Sequence, residues 1–255
     1  MDGGIARRKP SEPFQAAIFL VKWTLWRPQR ESKAMRTKLT KIRFIQDTPP
    51  QTVVTEPARW QGRWDEVFGR QAPLHLEIGM GKGLHLARFA YRSPEFNHLG
   101  LELKPDRVYM AHGVSERYGL TNVRFLVGDA DKLLEAFGPG DVDMISVLFP
   151  DPWPHIRQVK HRLTHPDRIR RYQGMLKPGG VLNFRTDHEA LFHYTVSVLD
   201  EMKIPYRITV AVDRPLTNFE ERYLSQGREV FGLLAWPNGM AESRIDPVAV
   251  GAPAR

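Results

Sequence analysis

A carboxylate, an indole and a run of cations stand close together in the segment FPDPWPHIRQVKHRL, residues 149–163. Asp151 could stabilise positive charge that develops in a reaction, or accept hydrogen bonds from a bound ligand. The cations that follow, Arg157, Lys160 and Arg162, are of the types that hold phosphates. The segment therefore pairs a group suited to a cationic centre with groups suited to a polyanion. A proline-rich surface loop followed by a solvated basic stretch is the alternative.

Asp151 must be positioned by the apolar run before it, Val142–Phe149, which predicts a buried parallel strand. The carboxyl ends of such strands are where open α/β sheets bind ligands. Each proline in the segment fixes its own φ and favours extended geometry in the residue before it. We therefore expect a stiff arm that carries Asp151 and Trp153.

Apolar runs alternate with helical patterns between residues 74 and 236. Such alternation predicts a Rossmann-like α/β fold, a doubly wound and mostly parallel sheet of seven strands with helices on both faces. The predicted strands are Leu74–Ile78, His98–Leu103, Val123–Val127, Val142–Phe149, Val181–Arg185, Tyr206–Val210 and Glu229–Trp236. The predicted helices are Lys82–Tyr91, Pro105–Tyr118, Ala130–Phe137, Pro166–Leu176 and His188–Met202.

The 255 residues divide into a domain at 49–236, a basic N-terminal arm at 1–48 and a Pro/Gly/Ala-rich tail at 237–255 that is expected to be disordered. Residues 1–45 hold eleven Lys and Arg against three acids, and so carry the whole formal charge of +8. Such an arm favours contact with polyanions, although a disordered, solvated tail is equally consistent with its composition. An alternative is that the protein starts at Met35, in which case the preceding residues come from an over-long reading frame.

The chain contains no cysteine, which excludes disulfides, a thiolate nucleophile and Cys-based metal sites. This composition fits a cytoplasmic protein. The apolar run Phe14–Trp26 has thirteen residues and is too short to cross a bilayer. No His, Asp and Glu cluster has the spacing of a metal site, so we expect no metal. We also expect no membrane partner, because the apolar run is too short. The protein is expected to be a monomer or a weak dimer.

The first predicted strand ends in EIGMGKG, residues 77–83. Glycines such as Gly79 and Gly81 let backbone N–H groups and a helix N-terminus approach a ligand closely. The Gly-x-Gly-x-Gly spacing differs from the dinucleotide fingerprint, whose third glycine comes three residues after the second. On this turn alone, a nicotinamide dinucleotide stays an alternative.

Acidic residues end the neighbouring predicted strands. Glu102 could accept hydrogen bonds from vicinal ribose hydroxyls, and Asp129, with Ala130 beside it, could read an adenine. With Glu77 and Asp151 they form an acidic array that suits a ligand with a cationic centre and no phosphate. S-adenosylmethionine is such a ligand. The alternative is that these are strand-end acids that cap helices.

Seven motifs in a fixed order closely resemble the bacterial tRNA (guanine-N7-)-methyltransferases of the TrmB family. They are EIGMGKG at 77–83, GLE at 100–102, GDA at 128–130, FPDPWP at 149–154, LKPGG at 176–180, TD at 186–187 and TNFE at 217–220. The resemblance covers residues 74–236. It implies a class I methyltransferase fold and transfer of a methyl group from S-adenosylmethionine to N7 of guanine 46 in the variable loop of tRNA.

The resemblance also implies roles for individual residues. The implied donor contacts are Glu77, Gly79, Gly81, Glu102, Asp129, Ala130 and Asp151, with Asp151 also catalytic. The implied substrate contacts are His155, Asp187, Thr217, Asn218, Phe219 and Glu220. The implied RNA contacts are Arg157, Lys160, His161 and Arg162. Two features depart from the family pattern: His155 stands where a lysine is usual, and Glu221, Arg222 and Tyr223 follow TNFE where the family usually has Arg-Gly.

Guanine N7 has an in-plane lone pair and no proton, so the reaction needs placement of the base more than a general base. Asp151 is therefore expected to orient the guanine or to stabilise its growing positive charge. Trp153 either stacks on the base or packs beneath the loop. Two other hypotheses stay open: a class I methyltransferase that acts on a protein or small molecule, and an RNA-binding module with a vestigial donor site.

Overall fold

The computed structural model describes residues 34–209 and 217–239, which belong almost entirely to one unit, residues 39–255. Most of the predicted basic arm, including the apolar run 14–26, and nearly all of the predicted C-terminal tail lie outside the described residues. Val210, the predicted last residue of a strand, also lies outside them. No described helix combines the length and apolar character needed to span a membrane.

The described chain builds one seven-stranded sheet in the order β3-β2-β1-β4-β5-β7-β6. Its strands are β1 Leu74–Ile78, β2 Asn97–Glu102, β3 Val123–Val127, β4 Val142–Leu148, β5 Leu176–Thr186, β6 Tyr206–Thr209 and β7 Phe231–Ala235. The first five run parallel, and β7 is antiparallel to both β5 and β6. The predicted Rossmann-like, mostly parallel sheet is thus confirmed, and the strand order reverses between β1 and β4.

Helices connect and flank these strands. They are α1 Ala34–Asp47, α2 Trp64–Phe68, α3 Leu84–Arg92, α4 Pro105–Arg117, α5 Ala130–Leu133, α6 Pro166–Met175, α7 Glu189–Glu201 and α8 Asn218–Ser225. Short 3-10 helices occupy Pro57–Trp60, Leu134–Ala136 and Ile156–His161. Proline at the first position of α4 and α6 explains why both begin where the sequence predicts, since the missing N–H has no intrahelical partner there.

Residues Ala34–Asp47 of the predicted basic arm form α1. Ile45 is only 3% exposed and packs in the cluster that contains Val108 and Phe125. The Phe44 ring contacts Tyr109 edge-on at 5.3 Å between centroids. The packed core of the domain therefore reaches back past the predicted boundary at residue 49.

A chain of polar side chains crosses the buried strands β1, β2 and β4. His98 Nε2 lies 3.1 Å from the Ser93 carbonyl oxygen and must donate to it, so His98 Nδ1 accepts from His75 Nδ1 at 3.0 Å. His75 Nε2 then accepts from the Ser146 hydroxyl at 2.9 Å. Burial lowers the pKa of His75 well below its ordinary range and lowers the pKa of His98 to about 4. Both rings are neutral because every nitrogen already has the partner that suits the neutral form.

Candidate active site

The turn after β1 brings backbone to the carboxyl edge of the sheet. Gly79, Gly81 and Gly83 have φ values of 76°, 59° and 70°, in the left-handed region that favours glycine. The N–H groups of Gly79 and Met80 both donate to the Leu101 carbonyl oxygen, at 2.8 and 3.1 Å. The turn is thereby tied to the end of β2.

Glu102, the last residue of β2, is held by backbone donors. Its Oε2 accepts from the Gly81 N–H at 3.0 Å and its Oε1 accepts from the Lys104 N–H at 3.0 Å. Arg107 Nη1 lies 3.7 Å from the same carboxylate. Each oxygen has two acceptor lone pairs, so the carboxylate is oriented and can still accept hydrogen bonds from a ligand.

Glu77 lies beneath the glycine turn and is only 3% exposed. Its Oε2 is 2.7 Å from His85 Nδ1, and His85 is also buried, in the first turn of α3. The Arg185 guanidinium, from the end of β5, also interacts electrostatically with Glu77. Glu77 is therefore the deepest of the four predicted acids.

Asp129 and Asp151 are both exposed at the same edge. Asp129 is the N-cap of α5, and its carboxylate accepts from the Asp131 N–H at 2.8 Å. The capping role that the sequence left open thus applies to Asp129, and Ala130 is the first residue of the helix it caps. No described residue donates a hydrogen bond to the Asp151 carboxylate. Because β3, β2, β1 and β4 are adjacent and parallel, all four acids lie along one edge of the sheet.

The loop that carries Asp151 has an unusual backbone. Phe149 and Trp153 have φ values of 50° and 44°, a region that residues with a Cβ rarely adopt. The Phe149 N–H donates to the Arg185 carbonyl oxygen at 2.8 Å, which anchors the start of the loop to β5. The Trp153 ring is half-buried and contacts the His161 ring at 5.3 Å.

Arg162 binds this loop from the other side. Its Nε donates to the Pro152 carbonyl oxygen at 3.0 Å and its Nη2 donates to the Trp153 carbonyl oxygen at 3.1 Å. The guanidinium also lies over the Tyr194 ring of α7, 4.3 Å from its centroid. Arg162 is therefore the predicted RNA contact whose side-chain N–H groups donate hydrogen bonds to acceptors within the protein.

The other cations after Asp151 fall into two groups. His155, Arg157, Lys160 and His161 are exposed, and no described carboxylate lies within ion-pair distance of Arg157 or Lys160. Arg168 and Arg171 instead contact Asp131 of α5, through its carboxylate at 2.7 Å and its carbonyl oxygen at 2.8 Å. The exposed cationic strip thus centres on residues 155–161.

Asp187 lies just past the end of β5, beside α8 and the segment that follows it. Its carboxylate accepts from Arg228 Nη2 at 3.1 Å, and the Arg228 guanidinium lies over the Tyr223 ring at 4.1 Å. The Tyr223 ring in turn lies 6.0 Å from the Phe149 ring. These contacts connect Asp187 to the loop that carries Asp151.

Thr217 and Glu220 form a capping box at the start of α8. The Thr217 hydroxyl accepts from the Glu220 N–H at 3.0 Å, and Glu220 Oε2 accepts from the Thr217 N–H at 2.7 Å. Glu220 is fully buried, and both its oxygens accept from Arg185 Nη1, at 3.0 and 2.9 Å. Burial lowers the pKa of Arg185, and the adjacent Glu220 carboxylate opposes that shift. The side chains of Asn218 and Phe219 lie outside the described part of the structure.

Glu221, one of the residues after TNFE that depart from the family pattern, has a partner on another helix. Glu221 accepts from both terminal nitrogens of Arg88 on α3, at 2.6 and 3.3 Å. This pair and the pair between Arg185 and Glu220 both fasten α8, one to α3 and the other to the sheet.

Three residues at this edge were not predicted from the sequence. Leu103 follows Glu102 and is 60% exposed, so it presents an apolar surface beside the carboxylate. Its position after a strand-end acid was a signal that could have identified it. Arg185 and Tyr194 had no local signal, because their partners are remote in the sequence. Among the described residues, no group of three or more His, Asp and Glu side chains could hold a metal.

Known proteins match this chain over most of its length. A family model described as a putative methyltransferase matches residues 71–233. A tRNA (guanine-N(7)-)-methyltransferase of Halalkalibacterium halodurans is 34% identical over 189 residues, 71% of this chain and 86% of that protein. Proteins of the same name from Bacillus subtilis and Brevibacillus brevis are 33% and 35% identical, and the alignments cover 74% and 71% of this chain and 88% of each relative.

Among solved structures, an antibiotic-related methyltransferase superposes with a TM-score of 0.49 at 19% identity, over 68% of this chain and 92% of that one. The assignment rests on the sequence relatives and on the family model, whose matched range contains all seven motifs. The resemblance inferred from those motifs is confirmed. The chain belongs to the bacterial tRNA (guanine-N7-)-methyltransferase family.

Proposed function

We propose that this protein transfers the methyl group of S-adenosylmethionine to N7 of guanine 46 in the variable loop of tRNA. The observation that carries the proposal is the juxtaposition of two features at one sheet edge. One is the row of acids at the ends of β3, β2, β1 and β4, and the other is the exposed cationic strip, residues 155–161, that follows Asp151. With tRNA as the substrate, the enzyme works in the cytoplasm.

The residues at the donor side fit S-adenosylmethionine. Glu102 is oriented by two backbone N–H groups and can accept from ribose hydroxyls. Leu103 offers an apolar surface, Asp129 is exposed beside Ala130, and the glycine turn exposes backbone. The acidic rim favours a cationic ligand over one with a pyrophosphate. When bound, the donor supplies an electrophilic methyl group on a sulfonium.

The acceptor side has to place a guanine with its N7 towards that methyl group. Asp151 is exposed on a loop anchored at both ends, so its carboxylate can accept from the N1–H and exocyclic amine of the base. It would also stabilise the positive charge that grows on the ring as N7 is alkylated. Holding the two reactants in a near-attack geometry can supply ~7 to 11 kcal/mol of barrier reduction, which leaves no need for a general base.

The remaining predicted residues have roles around this base. We assign Asp187 and the Thr217 to Glu220 segment to the substrate side, where Glu220 is fully buried and acts through its contact with Arg185. His155 stands at the mouth of the loop as an exposed substrate contact. Arg157 and Lys160, with His161, hold phosphates of the tRNA.

Incubation with methyl-labelled donor and two unmodified tRNA transcripts tests the proposal. One transcript carries guanine at position 46 and the other carries adenine there. We expect label on guanine N7 of the first transcript only, and a loss of ~10²- to 10³-fold in kcat for Asp151→Ala. Asp167→Ala, which removes an exposed carboxylate on α6, is the matched control and should retain full rate.

Other outcomes would point to the competing hypotheses. Label on guanine 46 by Asp151→Ala at the wild-type rate would remove Asp151 from its role. Label on proteins or small molecules but not on tRNA would indicate a different methyltransferase. Tight tRNA binding with no affinity for S-adenosylmethionine in a calorimetric titration would indicate an RNA-binding module.

A further inference from the structure

We propose that Arg162 is a positioning residue for the loop that carries Asp151, and that it does not contact RNA phosphate. This inference rests on the proposed function, because the loop matters only if Asp151 acts on the substrate. It changes the role that the family resemblance implies for Arg162.

The loop needs an external support because its backbone is unfavourable by itself. Trp153 has a φ of 44°. A residue with a Cβ is disfavoured there, and the proline that follows Trp153 further restricts it towards extended geometry. Pro152 and Pro154 have no N–H, so the loop cannot close its own turn with the hydrogen bonds that ordinary turns use. Conformations of this kind persist only when the surrounding structure imposes them.

Arg162 supplies that support at the required place. The carbonyl oxygens of Pro152 and Trp153 belong to the two peptide units that flank the Trp153 Cα atom. One planar guanidinium binds both, at 3.0 and 3.1 Å, and so restrains the rotation of both units. A lysine could not do the same, since its ammonium is a single point without the fork geometry.

Tyr194 holds the guanidinium in turn. The ring lies 4.3 Å from Arg162 Cζ and belongs to α7, which packs on the sheet. Stacking covers one face of the guanidinium and fixes its plane. Arg162 is half-buried, whereas Arg157 and Lys160 are exposed. Two of the five N–H donors of Arg162 hold Trp153 and, through Pro152, the neighbouring Asp151, and a phosphate bound by those donors would displace this support.

The two roles predict different kinetics for Arg162→Lys. A positioning role predicts that kcat falls by ~10- to 100-fold, because a displacement of about 1 Å near the reacting atoms has effects of this size. Arg162→Ala, which removes the charge, should leave the dependence of tRNA binding on salt at its wild-type value, because Arg162 neutralises no phosphate in this role. Tyr194→Leu should lower kcat in the same direction, and Tyr194→Phe, which keeps the ring, should keep the rate.

Arg157→Ala is the matched control for removal of a phosphate-binding cation. It should raise KM for tRNA and reduce the log–log salt slope by ~0.7 to 0.9. Wild-type kcat in Arg162→Lys, or a salt slope reduced in Arg162→Ala as much as in Arg157→Ala, would overturn the proposal.

Hydrogen exchange of the loop amides gives a readout that does not need activity. The Phe149 N–H, which donates to the Arg185 carbonyl oxygen, and the Gln158 N–H, which donates to the His155 carbonyl oxygen, should exchange faster in Arg162→Lys than in the wild type. Both should exchange at the wild-type rate in Arg157→Ala. Equal exchange in all three proteins would overturn the positioning role. If the wild type fails to methylate guanine N7 while Arg162→Lys still loosens the loop, the proposed function fails and the support of the loop by Arg162 stands.

Discussion

The proposed donor side and the proposed substrate side of this sheet edge hold their carboxylates in different ways. On the donor side, the partners are near in sequence: Glu102 bonds to Gly81 over 21 residues, Glu77 to His85 over 8, and Asp129 to Asp131 over 2. On the substrate side, the carboxylates that have partners pair with arginines from remote elements. Glu220 bonds to Arg185 over 35 residues, Asp187 to Arg228 over 41, and Glu221 to Arg88 over 133.

The difference has an energetic consequence. The backbone N–H groups that hold Glu102 are present whenever the glycine turn forms, and they bring no charge that could be left unpaired. The arginines that hold Glu220 and Glu221 are charges in buried or half-buried positions, so each depends on its partner. The substrate side should therefore be more sensitive to single charge changes than the donor side.

Removal of the Glu220 charge should have the largest effect. Glu220→Gln removes the carboxylate that accepts hydrogen bonds from the Arg185 guanidinium, which is 3% exposed as a side chain. Breaking a buried pair in this way destabilises a fold by about 3 to 5 kcal/mol. Urea unfolding followed by circular dichroism measures the change.

Glu221→Gln provides the matched control on the same helix. Its side chain is 43% exposed while that of Arg88 is 10% exposed, so water reaches this pair from one side and its loss should lower stability by less than loss of the Glu220 charge does. Equal effects of the two substitutions would mean that burial does not distinguish the two pairs.

The same contrast explains how much could be predicted from the sequence. The bounds of β1 and β3 match the predicted strands, and the four acids lie at the strand ends where they were expected. Periodicity and strand-end position are local signals, and the donor side is built from local contacts. The positions of these acids along the sheet edge could therefore be predicted, whereas the contacts of Glu102 with the Gly81 N–H and of Glu77 with His85 were not.

The errors concern contacts between remote residues. β5 begins at Leu176 and not at Val181, because Leu176 pairs with Val142 across the sheet. The helices α1 and α8 were not predicted, although the capping box of Thr217 and Glu220 is a recognisable helix start. Asp131 pairs with Arg168 and Arg171 of the basic run, and the sequence did not predict either pair. No local sequence pattern indicates that Asp131 pairs with Arg168, which is 37 residues away.

Acidic pH should lower the stability of the fold through two histidines beneath the donor side. His75 and His98 lie in β1 and β2, the strands that carry Glu77 and Glu102. Their pKa values are lowered by burial, that of His98 to about 4, from an ordinary value of 6.5. Between these values the unfolded chain binds more protons than the folded one, so stability falls as pH drops below about 6.5 and is constant above it. We expect His98 alone to account for a loss on the order of 3 kcal/mol by pH 4.

The dependence can be assigned with two variants. His75→Leu combined with His98→Leu should flatten the stability curve between pH 4 and 6.5, whereas His193→Gln, at a side chain that is 68% exposed, should leave its slope unchanged. A wild-type curve without slope in that range would contradict the neutral histidine chain.

Glu102→Gln tests whether the donor side binds S-adenosylmethionine through oriented hydrogen-bond acceptors. Loss of the charged acceptor should weaken S-adenosylmethionine binding by ~1.5 to 3 kcal/mol, since hydrogen bonds to charged groups contribute amounts of this size. Isothermal titration measures it. Glu116→Gln, an exposed acid on α4, is the control and should bind the donor like the wild type. Unchanged affinity in Glu102→Gln would show that the ribose is held by other groups.

The smallest effect on free energy should come from substitution of the exposed cations on the substrate side, because solvent already screens their charges. Arg157→Ala combined with Lys160→Ala should reduce the slope of log Kd for tRNA against log salt by ~0.7 to 0.9 for each phosphate that is no longer neutralised. Arg170→Ala removes an equally exposed arginine whose charge is paired with Asp167 at 2.8 Å, and it should change the slope by less. Filter binding over a range of salt concentrations compares the three proteins. An unchanged slope in the double variant would locate the phosphate contacts elsewhere, and the basic N-terminal arm, which carries the excess charge of the chain, would then be the next segment to test.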